Sequence, residues 1–140
     1  MKYTKNFYQI KSNSEIFERL KAERENIGYY NLPYQDTAEI KKYAQSIAKK
    51  HIVVLGIGGS SLGARAIYEF LLPSNNYSKD LLFLETVDPL KINHCLKKVD
   101  LKDAQFVVIS KSGNTIETIS LFKYLNSLVE IDKSNCTIIS

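Results

Sequence analysis

From residue 51 onward, short apolar runs alternate with amphipathic stretches. Residues 52–55, 81–84, 106–109 and 136–139 are apolar throughout or nearly so, the pattern of strands buried on both faces in a parallel sheet. Between them apolar residues recur at helical spacing. Leu62, Ala66, Ile67 and Phe70 form one stripe; Ile92, Cys95, Leu96 and Val99 form a second. Asp88 stands at the N-cap of that second helix, with Pro89 at its first position. Leu121, Phe122, Leu125, Leu128 and Val129 form the third stripe, in a helix expected over 116–129. The runs begin every 25 to 30 residues, close to the length of a βαβ unit. The pattern predicts an α/β domain over 51–140: three layers, a doubly wound parallel sheet with helices on both faces. The last run reaches residue 140 with no helix to cover it, so the domain is expected to be incomplete at its C-terminus and the chain to be truncated.

Residues 1–50 read differently. Ser12 with Glu15 has the spacing of a capping box, and Ile16, Phe17 and Leu20 make an apolar stripe expected to stop at Gly28. Tyr29-Tyr30-Asn31-Leu32-Pro33 reads as a loop, because the residue before a proline is disfavoured in an α-helix. Asp36 with Glu39 restarts a helix, in which Ile40, Tyr43, Ala44, Ile47 and Ala48 follow the amphipathic template. These residues are expected to form an N-terminal helical arm packing on something larger.

Composition removes several function classes. The chain has 140 residues, 44% hydrophobic and 24% charged, ordinary usage for a globular fold rather than a disordered one. No run approaches the roughly 20 apolar residues of a membrane span. Met1-Lys2-Tyr3-Thr4-Lys5 leads into polar residues and shows no signal-peptide pattern. Cys95 and Cys136 are too far apart for a CxxC motif and too few for a disulfide framework, which makes the cytoplasm the expected compartment. The net charge is +4, with ten Lys/Arg against six Asp/Glu in residues 1–50 and nine of each in 51–140. Lys41-Lys42 and Lys49-Lys50 look like the solvated face of a helix, and no basic patch interleaved with aromatics marks a nucleic-acid partner.

The candidate chemistry lies where strands hand over to helices, since ligands of open α/β sheets bind beyond the carboxyl ends of the strands. Leu55-Gly56-Ile57-Gly58-Gly59-Ser60-Ser61-Leu62-Gly63 follows the first run. Its glycines allow a tight turn and close backbone approach to a ligand, and the hydroxyls and N–H groups of Ser60 and Ser61 are expected to face an anion or a sugar hydroxyl. A tight turn with a capping serine accounts for this segment equally well. A dinucleotide fingerprint counted from Gly56 needs glycine at position 61, which is serine, although Glu85 stands roughly where a ribose-binding acid would. No Gly-Lys-Ser/Thr occurs, so a Walker loop is absent. Ser110-Lys111-Ser112-Gly113-Asn114-Thr115 is more informative. Three hydroxyls, an ammonium and a glycine at a helix N-terminus suit a phosphomonoester, with the helix dipole adding to the charge of Lys111. Glu117 complements that dipole; it also has the chemistry to accept a sugar hydroxyl. His51 precedes a buried strand and His94 lies in a polar part of a helix; both read as structural or solvent-facing.

The two segments together, 54–63 and 108–118, resemble the glucose-6-phosphate isomerase family, and the fold implied is the sugar-isomerase (SIS) domain. The resemblance implies interconversion of glucose 6-phosphate and fructose 6-phosphate, in glycolysis and gluconeogenesis, with no metal or nucleotide cofactor. Carried over by position, Ser110, Lys111, Ser112 and Thr115 hold the substrate phosphate, Gly113 and Asn114 complete the loop, and Gly59 and Ser60 line the sugar side. Ala64 departs from a proline usual in the first motif, and Asn114 from a threonine common in the second; neither removes a hydroxyl assigned to the phosphate. The family's catalytic glutamate, histidine, lysine and arginine come from motifs with no match here, so no catalytic residue is assigned and the chain alone is expected to be inactive. The resemblance further implies a homodimer at full length. Two rival readings are a non-catalytic sugar-phosphate-binding regulatory module, although residues 1–50 lack a helix-turn-helix, and a dinucleotide-binding domain using Glu85.

Overall fold

A computed structural model describes residues 14–74 and 76–140 of the chain. The chain divides into two compact units, Met1–Ala44 and Gln45–Ser140.

In the first unit, helix α1 covers Ser14–Glu23, and Gly28–Tyr34 winds as a 3₁₀-helix. Ser12, the expected cap of α1, lies outside the described residues. The stripe of Ile16, Phe17 and Leu20 is present but remains 56%, 60% and 45% exposed. The stretch expected to be a loop is a 3₁₀-helix because proline's fixed φ suits that winding as well as a turn. Its bonds reach back three residues, from the Tyr30 N–H to the Ile27 carbonyl at 3.2 Å and from the Gln35 N–H to the Leu32 carbonyl at 3.2 Å. Helix α2, Ala38–Ser46, begins as expected: Asp36 Oδ1 accepts the Ala38 N–H at 2.9 Å.

The second unit is built on four parallel strands, β1 (His51–Leu55), β2 (Asp80–Leu84), β3 (Ala104–Ile109) and β4 (Cys136–Ile139), in the order β2-β1-β3-β4. The expected runs are these strands, to within two residues at each start. Helices α3 (Leu62–Leu71), α4 (Pro89–Leu96) and α5 (Ile116–Leu128) fill the connections. Asp88 caps α4, its carboxylate accepting from the N–H groups of Leu90 at 2.9 Å and Lys91 at 3.4 Å.

Side chains alternate across a strand, and the register sorts them. Val53, Leu55, Leu84, Ala104 and Phe106 share one face, where Ile92 of α4 and Leu121 and Leu125 of α5 close the core. The other face receives α3, whose Tyr68 lies with its ring centroid 6.1 Å from that of Phe83 and accepts the Leu81 N–H at 3.4 Å. Right-handed crossovers require this arrangement, because the chain steps from β1 outward to β2 and then back across β1 to β3. Helices on both faces and a reversal of winding direction make the sheet doubly wound, as the pattern predicts.

Complete burial of all four strands is not what the structure shows. Val53, Leu55 and Phe106 of the two central strands are fully buried, whereas β2 is only half-buried over residues 81–83, and Ile138 and Ile139 of β4 are 72% and 50% exposed. β2 and β4 are the sheet edges, so each lacks a neighbouring strand on one side. Among the described residues, no helix is long and apolar enough to cross a membrane.

These burials set stability differences. Leu125→Ala is expected to cost about 2–5 kcal/mol, because a fully buried leucine leaves a cavity. Ile138→Ala, at an exposed edge, is expected to cost within about 0.5 kcal/mol. Urea unfolding of the two variants followed by circular dichroism checks the contrast.

Candidate functional site

The reversal of winding direction falls between β1 and β3, so a crevice opens beyond their carboxyl ends. Both glycine- and hydroxyl-bearing turns leave the sheet there, one from Leu55 and the other from Ile109.

In the first turn, a Cβ on Gly56 would meet Ser60 Cβ at 3.1 Å and the Ser60 carbonyl oxygen at 3.2 Å, a tight approach that Ser60 would have to yield to by a few tenths of an ångström. Gly58 adopts φ +58°, a conformation glycine takes without steric cost. The N–H groups of Ser60 and Ser61 are spent inside the turn, on the carbonyls of Ile57 at 3.3 Å and Gly58 at 3.1 Å. Ser61 is buried, and its hydroxyl donates weakly to the Gly58 carbonyl at 3.4 Å. Ser60, by contrast, is half-buried beside the exposed Gly59. A 3₁₀ turn consumes the N–H groups that an open loop would present.

The second turn is hydrogen-bonded internally in a different way. Gly113, at φ +67°, donates its N–H to the Ser110 carbonyl at 3.2 Å. The Asn114 N–H goes to the Ser112 hydroxyl oxygen at 3.2 Å, and the buried Ser110 hydroxyl donates to Thr115 Oγ1 at 3.2 Å. The Ser110 hydroxyl and the Gly113 and Asn114 N–H groups thus hold the turn's shape. Lys111, Ser112 and Thr115 keep free donors: each hydroxyl accepts a bond and retains its own proton, and Lys111 is exposed with no ion pair among the described residues.

Thr115 is the N-cap of α5 but forms no side-chain bond to the helix. The first-turn N–H groups of residues 116–118 have no acceptor within the helix, and a side chain that could have satisfied them is committed to Ser110. The turn thus presents N–H dipoles, two hydroxyls and one ammonium on one surface, the combination that holds a dianionic phosphate. Glu117 sits half-buried in the same first turn. Beside this turn lies a cleft of about 260 Å³ lined by Val108, Ser110, Gly113, Thr118, Phe122 and Ile138.

Three features escape the sequence pattern. Thr118 is buried, with no hydrogen-bond partner for its hydroxyl among the described residues. Arg65, on α3, donates from Nη1 to Glu85 Oε2 at 2.6 Å and from Nε to Glu69 Oε1 at 2.8 Å. Glu85 itself, considered above as a ribose acceptor, turns its carboxylate to that arginine. Burial alone would raise the Glu85 pKa; the nearby Ser61 side chain and the Arg65 guanidinium, with its charge, outweigh it and leave the group below its ordinary value. The Glu69-Arg65 spacing of four residues was legible as a helical ion pair, but nothing local relates Arg65 to Glu85. Of the histidines, His94 is exposed on α4, and His51 starts β1 at the opposite end of the sheet from both turns, its Nδ1 3.7 Å from Asp80.

The family model for phosphoglucose isomerase matches residues 35–136. A glucose-6-phosphate isomerase of Campylobacter jejuni is 35% identical over 111 residues, covering 76% of this chain and 27% of that protein. Among solved structures, a hypothetical protein from Thermus thermophilus superposes with a TM-score of 0.74 at 28% identity, covering 89% of this chain and 32% of its own. A glucose-6-phosphate isomerase from Chlamydia trachomatis superposes with a TM-score of 0.60 at 25% identity, over 95% of this chain and 25% of its own. The chain spans about a quarter of the length of the curated relatives it matches.

The Arg65–Glu85 contact generates a pH dependence. A carboxylate whose folded-state pKa lies below its unfolded one stabilises the fold above the unfolded value, and loses that contribution as pH falls through the folded one. Glu85→Gln is therefore expected to flatten the loss of stability as pH falls below the ordinary glutamate range, measured as midpoint against pH in urea unfolding of the variant and the parent.

Proposed function

Given that the chain belongs to the phosphoglucose isomerase family, we propose that its two turns hold a hexose 6-phosphate for aldose–ketose isomerisation by the whole protein. The substrates on this reading are glucose 6-phosphate and fructose 6-phosphate, interconverted in the cytoplasm by a homodimer. Lys111 supplies a point charge, Ser112 and Thr115 donate from their hydroxyls, and the free first-turn N–H groups of α5 donate along the helix dipole. Ser110, Gly113 and Asn114 keep the turn in that shape, and Gly59 and Ser60 line the sugar across the crevice. The observation that carries the reading is the commitment of the Thr115 side chain to Ser110, which leaves the helix N-terminus uncapped beside a lysine with no ion pair among the described residues.

The reaction opens the sugar ring and moves a proton between C2 and C1 through an enediol. It needs a carboxylate base, an acid–base group for ring opening and positive charge near the developing oxyanion. The two turns supply none of these directly: their task is to fix one end of the substrate, so that binding energy at the phosphate orients the reacting carbons. The base is assigned to polypeptide outside these 140 residues, and the chain alone is expected to bind without turnover.

In the whole protein, Lys111→Ala and Ser112→Ala are each expected to raise KM for fructose 6-phosphate. A charge-assisted contact of about 1.5–3 kcal/mol corresponds to roughly tenfold or more for the lysine. A coupled assay of fructose 6-phosphate isomerisation reads this, and an unchanged KM in both variants would place the phosphate elsewhere. Calorimetric titration with NAD against glucose 6-phosphate separates the dinucleotide alternative.

A further inference from the structure

Glu85 immediately follows β2, and its side chain is only 17% exposed. A carboxylate so placed loses much of its hydration and needs a compensating partner. Arg65 is that partner, at 2.6 Å, and is itself steadied by Glu69 one helical turn further along α3. The second oxygen, Oε1, is buried with no hydrogen-bond partner at bonding distance among the described residues.

Backbone hydrogen bonds beside this pair lead to the first turn. The Arg65 N–H donates to the Ser61 carbonyl at 2.9 Å, and the Ser61 N–H donates to the Gly58 carbonyl at 3.1 Å. At the other end of the turn, the Gly56 N–H reaches the Leu84 carbonyl at 3.4 Å. The segment bearing Gly59 and Ser60 is thus tied to the end of β2 twice, through backbone at Gly56 and through the Arg65–Glu85 ion pair behind Ser61. No comparable tie joins the pair to the turn at 110–115, which closes on its own hydrogen bonds and on β4 through the Ser110 N–H to the Ile139 carbonyl at 3.0 Å.

We infer that Arg65 and Glu85 are positioning residues, which set the placement of Gly59 and Ser60 against the sugar while leaving the phosphate grip to the other turn. This rests on the hexose 6-phosphate reading above. Displacing a substrate-lining turn by a fraction of an ångström weakens the contacts made there, whereas a small anion held at 110–115 does not register the change.

The test uses the whole protein, with KM for glucose 6-phosphate and the inhibition constant for inorganic phosphate measured in parallel. Glu85→Gln, which keeps the side-chain shape, and Arg65→Gln are each expected to raise KM about fivefold or more. The phosphate inhibition constant should stay within about twofold, and Arg65→Lys should recover part of the loss. A merely structural ion pair would lower the active fraction and the melting temperature without moving KM. Unchanged KM in both glutamine variants, or KM and the phosphate constant rising together, overturns the positioning role. Parent protein that neither turns over hexose 6-phosphate nor is inhibited by inorganic phosphate sinks the underlying reading, and the positioning role with it.

Discussion

The parallel pairing of β1 with β3 sets Val53 opposite Phe106 and Leu55 opposite Val108, and Val53, Leu55 and Phe106 are fully buried in it. It joins strands that are not consecutive in the chain, with β2 and α4 intervening, and so forces the winding direction to reverse between them. Adjacent strands lie about 4.8 Å apart, so turns leaving the two carboxyl ends become neighbours although more than fifty residues separate them in sequence. Every statement about a shared crevice depends on that pairing.

Within the crevice the two turns solve opposite problems. The one after β1 uses up its own N–H groups in a 3₁₀ winding and offers a small, nearly side-chain-free surface at Gly59 and Ser60. The one after β3 uses Ser110, Gly113 and Asn114 as internal scaffolding and leaves Lys111, Ser112, Thr115 and the start of α5 facing outward. A phosphate demands donors and positive charge; a sugar ring demands room and a few hydroxyl partners. On the proposed reading, each turn takes one end of a sugar phosphate.

Much of this was legible without coordinates. The four apolar runs are the four strands, Asp36 and Asp88 start the helices they were expected to start, and Gly56, Gly58 and Gly113 stand where a close approach or a positive φ favours glycine. Two readings failed for separable reasons. The loop at residues 29–33 winds as 3₁₀ because proline's φ serves both states. The strands differ in burial because apolar content does not reveal which of them lie at the sheet edges. That the hydroxyls of Ser61 and Ser110 bond within their own turns was not legible, because a donor's partner is chosen by local folding and not by residue type.

Alternating apolar runs and helical stripes, read with the turn residues between them, determined an α/β sheet and two chemically distinct turns, since those features are set by backbone preference and side-chain periodicity within a few residues. Tertiary structure alone decided that the turns share one edge, which donors stay free, and that Arg65 meets Glu85 twenty residues away. Those outcomes depend on strand order and on competition among nearby acceptors, quantities that exist only once distant segments have packed.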